Sequence, residues 1–160
     1  MIFIAVGSDL PFDRLIRHVD EWAEQHGRTD FFAQIGGGEY LPRAMSYATF
    51  LQPSEFKEKM VEASAIIAHA GMGTILSAMQ LQKPILVFPR RTKYREIRNE
   101  HQLATARHLS ESGSVYVALD QAELHEGLNQ IDNLASVNPI GEYASEKLIH
   151  TIREFICEHK

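Results

Sequence analysis

The stretch SAIIAHAGMGTILSAMQLQKPILVFP, residues 64–89, decides the fold class. It opens with a short apolar run, Ala65 to Ala68, that reads as a strand and ends in His69. Gly71 and Gly73 then bracket Met72, Thr74 opens a helix, and a second strand runs from Ile85 to Phe88. A glycine-rich turn at a helix start leaves several backbone N–H groups without partners, converging where the helix dipole adds positive potential. Such a turn is a receptor for phosphate or diphosphate.

The same alternation extends in both directions. Upstream, Ile2 to Val6 reads as a buried strand, followed by a Gly7-Ser8-Asp9 turn. Asp9 to His26 carries Phe12, Leu15, Ile16, Val19 and Trp22 at helical spacing. Phe31 to Ile35 is a second strand closed by Gly36-Gly37-Gly38, Ala44 to Leu51 is a weaker one, and Ser54 to Glu62 is a short helix with Ser54 as N-cap. Downstream, Ile97 to Ser112 reads as a helix stopped by Gly113, and Ser114 to Ala118 as a strand. Gln121 to Leu134 is another helix, and after Asn138-Pro139 a C-terminal helix occupies 141–160. Strands alternating with helices across short connections predict an α/β fold with a doubly wound parallel sheet, one domain over 1–160.

The 160 residues suffice for one core without staples, because a chain of this length buries roughly 70% of its unfolded surface. The single cysteine, Cys157, excludes an internal disulfide and suits a reducing compartment. The start, Met-Ile-Phe-Ile-Ala-Val-Gly, has no basic leader. No window reaches the roughly 18 apolar residues of a membrane span. A soluble, cytoplasmic chain is the expectation. The net charge of −5 argues against general nucleic-acid binding. Residues 90–98 nevertheless carry a local +4, from Arg90, Arg91, Lys93, Arg95 and Arg98 against Glu96. That run reads either as a solvated loop or as a surface for phosphate, lipid headgroups or a partner protein.

Ligands of doubly wound sheets sit beyond the carboxyl ends of the strands, near the reversal of strand order. Gly7-Ser8-Asp9, Gly36-Gly37-Gly38, His69 to Thr74 and Pro89 to Arg95 all fall on that edge. His69 and Thr74 can each donate to a phosphate oxygen; for His69, a ring satisfied by backbone is the competing account. Asn99, Glu100 and Gln102 have groups that suit sugar hydroxyls, or are ordinary polar residues of a helix surface. His18 with His26, and His101 with His108, stand two helical turns apart, which is too little for a zinc site, so no metal is expected. Cys157 belongs to a helical pattern with Ile152, Phe155 and Ile156 and is not read as a nucleophile.

In combination these residues resemble a known family. His69-Ala70-Gly71-Met72-Gly73-Thr74, Lys83-Pro84 before an apolar strand, and Asn99-x-His101-Gln102 resemble the C-terminal, donor-binding half of the family 28 glycosyltransferases of GT-B architecture. Val6-Gly7-Ser8, Phe12-Asp13-x-Leu15-Ile16 and Pro89-Arg90-Arg91 are similar to the small, free-standing members of that family, including those of bacterial exopolysaccharide synthesis. The resemblance covers about the first 120 residues. It implies a Rossmann-like single donor half and a UDP-sugar substrate with no other cofactor. Gly7, Ser8 and His69 through Thr74 (Ala70, Gly71, Met72 and Gly73 included) would hold the diphosphate. Ser77, Asn99, Glu100 and Gln102 would face ribose or the donor sugar. Many members carry a glutamate where Ser77 stands, so the grip on ribose is left open.

The resemblance further implies a separate membrane-associated subunit that brings a lipid-linked acceptor, which would place the chain peripherally at the inner face of the membrane. Arg90, Arg91, Lys93 and Arg95 would then meet the partner or the acceptor. Transfer needs a base for the acceptor hydroxyl and stabilisation of the leaving diphosphate. Asp9 and His101 are the candidates for the base, alongside a residue of the partner. The reading is a metal-independent, inverting hexosyltransferase; the alternative is a nucleotide-sugar-binding regulatory module without catalysis.

Overall fold

The computed structural model describes residues 1–111, 115–136 and 146–158. Six strands form one sheet in the order β3-β2-β1-β4-β5-β6, and every neighbouring pair is parallel. β1 (Ile2–Ala5) lies between β2 (Phe31–Gln34) and β4 (Ala65–Ala68), and β3 (Ser46–Ala48) closes one side. β5 (Ile85–Val87) and β6 (Tyr116–Val117) complete the other. The chain winds outward from β1 to β3 and then returns to β4 on the opposite side of β1. The order therefore reverses between β1 and β4, where a doubly wound sheet opens a crevice.

Both faces of the sheet are covered, which is why its central strands are apolar throughout instead of alternating. Ile2, Ile4 and Val6 point into one core with Leu15, Ile16, Val19 and Trp22 of α1 (Asp13–Gln25) and with Leu124 and Leu128 of α5 (Gln121–Asn129). Phe3 and Ala5 point into the other, with Met60 of α2 (Pro53–Glu62), Ile75 and Ala78 of α3 (Met72–Gln80) and Ala106 of α4 (His101–Glu111). A bond from the Trp22 indole N–H to Asn129 Oδ1, 3.1 Å, ties α1 to α5. α6 (Glu146–Glu158) is an amphipathic helix whose Leu148, Ile152, Phe155 and Ile156 are about half exposed.

Several boundaries differ from the sequence expectation, each for a local reason. α1 starts at Asp13, not Asp9: Ser8 to Leu10 form a bend, and Phe12 is in a non-helical conformation although it packs on the helix's apolar face. α2 starts one residue before Ser54, at Pro53, with Gln52 as N-cap. Proline suits a first helical position, and Glu55 reaches back to the Gln52 N–H at 2.7 Å. α3 starts at Met72 with Gly71 as N-cap, so Thr74 is the third helical residue, not the first. α4 starts at His101, four residues after the expected Ile97. The expected helix to Leu134 ends at Asn129 and continues as a 3₁₀ turn over Ile131–Asn133. Gly113, Ser114, Asn138-Pro139 and residues 141–145 lie outside the described residues.

Candidate functional site

A pocket of about 280 Å³ opens at the β1–β4 reversal. Three connections build it: Gly7, Ser8 and Asp9 after β1; His69, Gly71, Gly73 and Thr74 after β4; and Arg90 and Ile97 with Gln102 after β5. Its floor on the α3 side is a helix start. The first intrahelical bond there runs from the Ile75 N–H to the Gly71 carbonyl, 3.2 Å. The N–H groups of Met72, Gly73 and Thr74 thus precede any intrahelical partner, and the helix dipole adds to them.

Glycine is required here for space. Gly7 has φ +81°, a conformation that disfavours a side chain, and a Cβ on it would come within 2.8 Å of His69 Cε1. A Cβ on Gly71 would come within 2.1 Å of His69 Nε2. The imidazole is therefore wedged between two glycine backbones. Its Nδ1 lies 3.3 Å from the Ala5 carbonyl, so Nδ1 carries the proton and donates, which leaves Nε2 of the neutral ring as an acceptor. Burial, assisted by the nearby Arg90 charge, holds the His69 pKa below its ordinary 6.5, while the Ala5 bond opposes the shift. His69 donates from Nε2 only when protonated, so the neutral ring offers a lone pair on that side, not the donor expected from the sequence.

Gln102 is buried, and its carbonyl oxygen accepts the Arg90 N–H at 3.2 Å, so the group it has left to offer is the amide NH₂. Asp9 is an exposed carboxylate at the rim. The other candidates lie elsewhere. The Ser77 hydroxyl donates to the Gly73 carbonyl at 2.8 Å, and Ser77 lines a separate groove with Phe56, Met60 and Leu81. Asn99 Oδ1 accepts the His101 N–H at 3.2 Å. Glu100 accepts the Thr92 N–H at 2.9 Å and the Thr92 hydroxyl, and its Oε2 stands 3.4 Å from Arg91 Nε. These bonds, first the Thr92 hydroxyl, hold the Glu100 carboxyl below the usual range. His101, Met72 and Ala70 do not line the pocket; Ala70 is in the core and the Met72 side chain is exposed.

The basic run does not form a uniform cationic surface. Arg90 is 3% exposed, so it is a buried residue and not part of a partner-facing surface. Arg91 is half-buried beside Glu100, whereas Lys93 and Arg95 are exposed. Glu96 is the anchor of the loop: its carboxylate accepts from Arg14 Nε at 2.7 Å, Arg14 Nη2 at 2.9 Å and the Arg91 N–H at 2.9 Å. The Arg14 guanidinium in turn stacks 4.3 Å from the Phe88 ring centroid and 4.7 Å from that of Tyr94. The Gly36–Gly38 turn sits on the same sheet edge but serves α1, where Asp13 Oδ2 accepts the Glu39 N–H at 3.0 Å. Ile97 and Val6 are lining residues that sequence reading misses; an apolar residue inside a basic run was the available signal for Ile97. Among the described residues no group of three or more His, Cys, Asp or Glu could hold a metal ion, and no helix is long and apolar enough to cross a membrane.

The glycosyltransferase family 28 C-terminal domain, as a family model, matches residues 1–151. The Homo sapiens UDP-N-acetylglucosamine transferase subunit ALG13 is 29% identical over 125 residues, which cover 72% of this chain and 11% of that protein. The chain spans about a tenth of the length of the curated relatives it matches. Among solved structures, the NMR structure of ALG13 superposes with a TM-score of 0.61 at 18% identity, covering 94% of this chain and 93% of that one. Acinetobacter baumannii MurG gives 0.65 at 15% identity, covering 96% of this chain and 49% of the other. At such identities the superpositions speak for the fold.

Proposed function

This chain belongs to the glycosyltransferase family 28 C-terminal domain family, and from that premise we propose that it is the donor-binding, catalytic subunit of a UDP-hexose transferase. The observation that carries the reading is the pocket at the sheet reversal, where the unpaired N–H groups of α3 face Gly7 and Ser8 across His69. A diphosphate placed there lies against the positive end of α3, and the leaving UDP is stabilised by donors that need no rearrangement as charge develops. Gln102 offers its amide to the donor sugar. The acceptor hydroxyl attacks the anomeric carbon, the bond from that carbon to the diphosphate breaks with inversion, and a base takes the hydroxyl proton. Of Asp9 and His101, only Asp9 lines the pocket.

In this reading the UDP-sugar is a substrate and neither cofactor nor metal takes part. The acceptor is a lipid-linked saccharide of polysaccharide or glycolipid synthesis, exopolysaccharide included. A membrane-associated subunit presents it and holds this chain at the inner face of the membrane. The similarity to ALG13, a subunit of a UDP-N-acetylglucosamine transferase, supports an activity shared with a partner subunit. Ser77 favours the second reading, a nucleotide-sugar-binding module without catalysis, because its hydroxyl turns back to the helix and away from the pocket.

Two measurements separate the readings. Thermal unfolding with UDP, UDP-glucose, UDP-galactose and UDP-N-acetylglucosamine should show a rise in Tm for UDP and its cognate sugar, since a ligand of the folded state stabilises it by mass action. Release of UDP when membranes carrying the partner and acceptor are added supports transfer. Binding without release by any of these donors leaves the module reading standing, and no binding removes both.

A further inference from the structure

Arg90 carries a charge that the reading above leaves unused. It follows β5 directly, lines the pocket and is 3% exposed. Its guanidinium bonds are to carbonyl oxygens: Nη2 donates to Val6 at 2.6 Å, and Nη1 to Pro11 at 2.6 Å and Glu96 at 3.2 Å. Carbonyls satisfy the donors without neutralising the cation, whereas buried charges are ordinarily paired with opposite ones. The nearby buried carboxylate, Glu96, is engaged with Arg14 and the Arg91 N–H. Glu96 is thus shared with Arg14, and the remaining nearby carboxylate, Asp9, is exposed at the rim, so Arg90 has no buried carboxylate of its own. Burial disfavours its charge, and only Glu96 and Asp9 act against the penalty.

The placement of the bonds has a second consequence. Val6 and Pro11 are the two ends of the loop that carries Gly7, Ser8 and Asp9. One guanidinium holds both ends, so the charge and the loop that walls the pocket are fixed relative to each other.

We propose that Arg90 is the fixed cation of this anion site, a positioning residue that tunes the pocket for a diphosphate over a neutral nucleoside. This rests on the reading of the pocket as a UDP site. Wild-type protein, Arg90→Lys and Arg90→Gln are titrated with UDP and with uridine at low and at moderate salt. Arg90→Gln is expected to weaken UDP about tenfold, with a flatter salt dependence and uridine affinity unchanged, as loss of one buried charge beside the pocket predicts. Arg90→Lys should keep most of the preference for UDP over uridine. A wild-type UDP-to-uridine ratio and salt slope in Arg90→Gln overturns the role of Arg90 while leaving the UDP site intact. An equal loss in both variants overturns the charge argument. Failure of wild-type protein to bind UDP overturns the site reading and this inference with it. Should Arg90→Gln not fold, side-chain NMR of the wild type decides: the Arg90 Nε–H resonance should move with UDP and not with uridine, and an unmoved resonance overturns the proposal.

Discussion

Replacing Gly71 with alanine tests the central feature of the site, the imidazole wedged between two glycine backbones. Gly71 has φ −96° and ψ 122°, which any residue adopts, so the substitution introduces no backbone strain. The cost comes from the new Cβ, which would stand 2.1 Å from His69 Nε2 and 2.8 Å from Cδ2 and Cε1. Retreat is blocked on the other side, where the ring already lies against Gly7. The ring must therefore swing out and give up its bond to the Ala5 carbonyl. Overpacking costs about 1–3 kcal/mol and the lost bond about 1 kcal/mol. The stiffer unfolded chain of alanine returns roughly 0.5 kcal/mol. The expected net loss of about 2–3 kcal/mol lowers the urea midpoint by roughly 1–1.5 M at an m-value of about 2 kcal/mol/M. Gly73→Ala is the control: nothing lies within 4 Å of its Cβ, so it should gain about 0.5 kcal/mol from helix propensity. A double-mutant cycle completes the test, because Gly71→Ala should cost little in a His69→Ala background. An equal cost in both backgrounds would refute the wedge and place the effect in the backbone.

Asp20 is buried and accepts from the Tyr40 hydroxyl at 2.8 Å and from the Arg43 and Ala44 N–H groups, at 2.9 Å to its nearer oxygen in each case. Asp20→Ala should destabilise by about 3 kcal/mol or more, read from chemical denaturation, because three donors lose one acceptor. Burial and then the Asp20 carboxylate push the Tyr40 phenol up to about 12, so absorbance titration should show one tyrosine ionising late in wild type and earlier in Asp20→Asn. Glu96→Ala leaves the Arg14 guanidinium without its carboxylate and should cost about 3–5 kcal/mol by the same assay, as removing one partner of a buried pair does. The pKa values of His18 and His69 are both lowered from 6.5, chiefly by burial. The unfolded chain therefore takes up protons first, so stability is full above about pH 6.5 and falls as the pH drops below it. Urea midpoints across pH 5 to 8 should show that fall, and it should be shallower in His69→Ala.

The parts of the fold legible in the sequence are those whose signal is local burial. Ala65–Ala68 is apolar at every residue because both faces of a central parallel strand are covered, and its boundaries match the sequence reading. Glycine was harder to read. Counted as a breaker, Gly71-Met72-Gly73 delays α3 to Thr74, yet the first turn of a helix makes no upstream bonds through its own N–H groups, so glycine is tolerated there. The delayed start of α4 has a different cause. Residues 97–100 read as its first turn, but the Glu100 carboxylate accepts from Thr92 and Asn99 Oδ1 accepts the His101 N–H, local side-chain bonds that no periodicity reports.

The same limit decides how the charges were read. Arg90, Arg91, Lys93 and Arg95 are equivalent in sequence, a basic run after a strand. Only the fold distinguishes them, by bringing Val6, Pro11 and Glu96 to Arg90 and Glu100 to Arg91 while Lys93 and Arg95 stay exposed. The helix-start N–H groups at the pocket could be foreseen, because a glycine pattern alone places them. The charge beneath it could not, because a buried cation is defined by partners 79 and 84 residues away along the chain. A glycine-rich turn therefore announces where backbone donors converge, whereas the buried charge beside them depends on contacts that exist only once β1 and β5 flank β4 in the folded sheet.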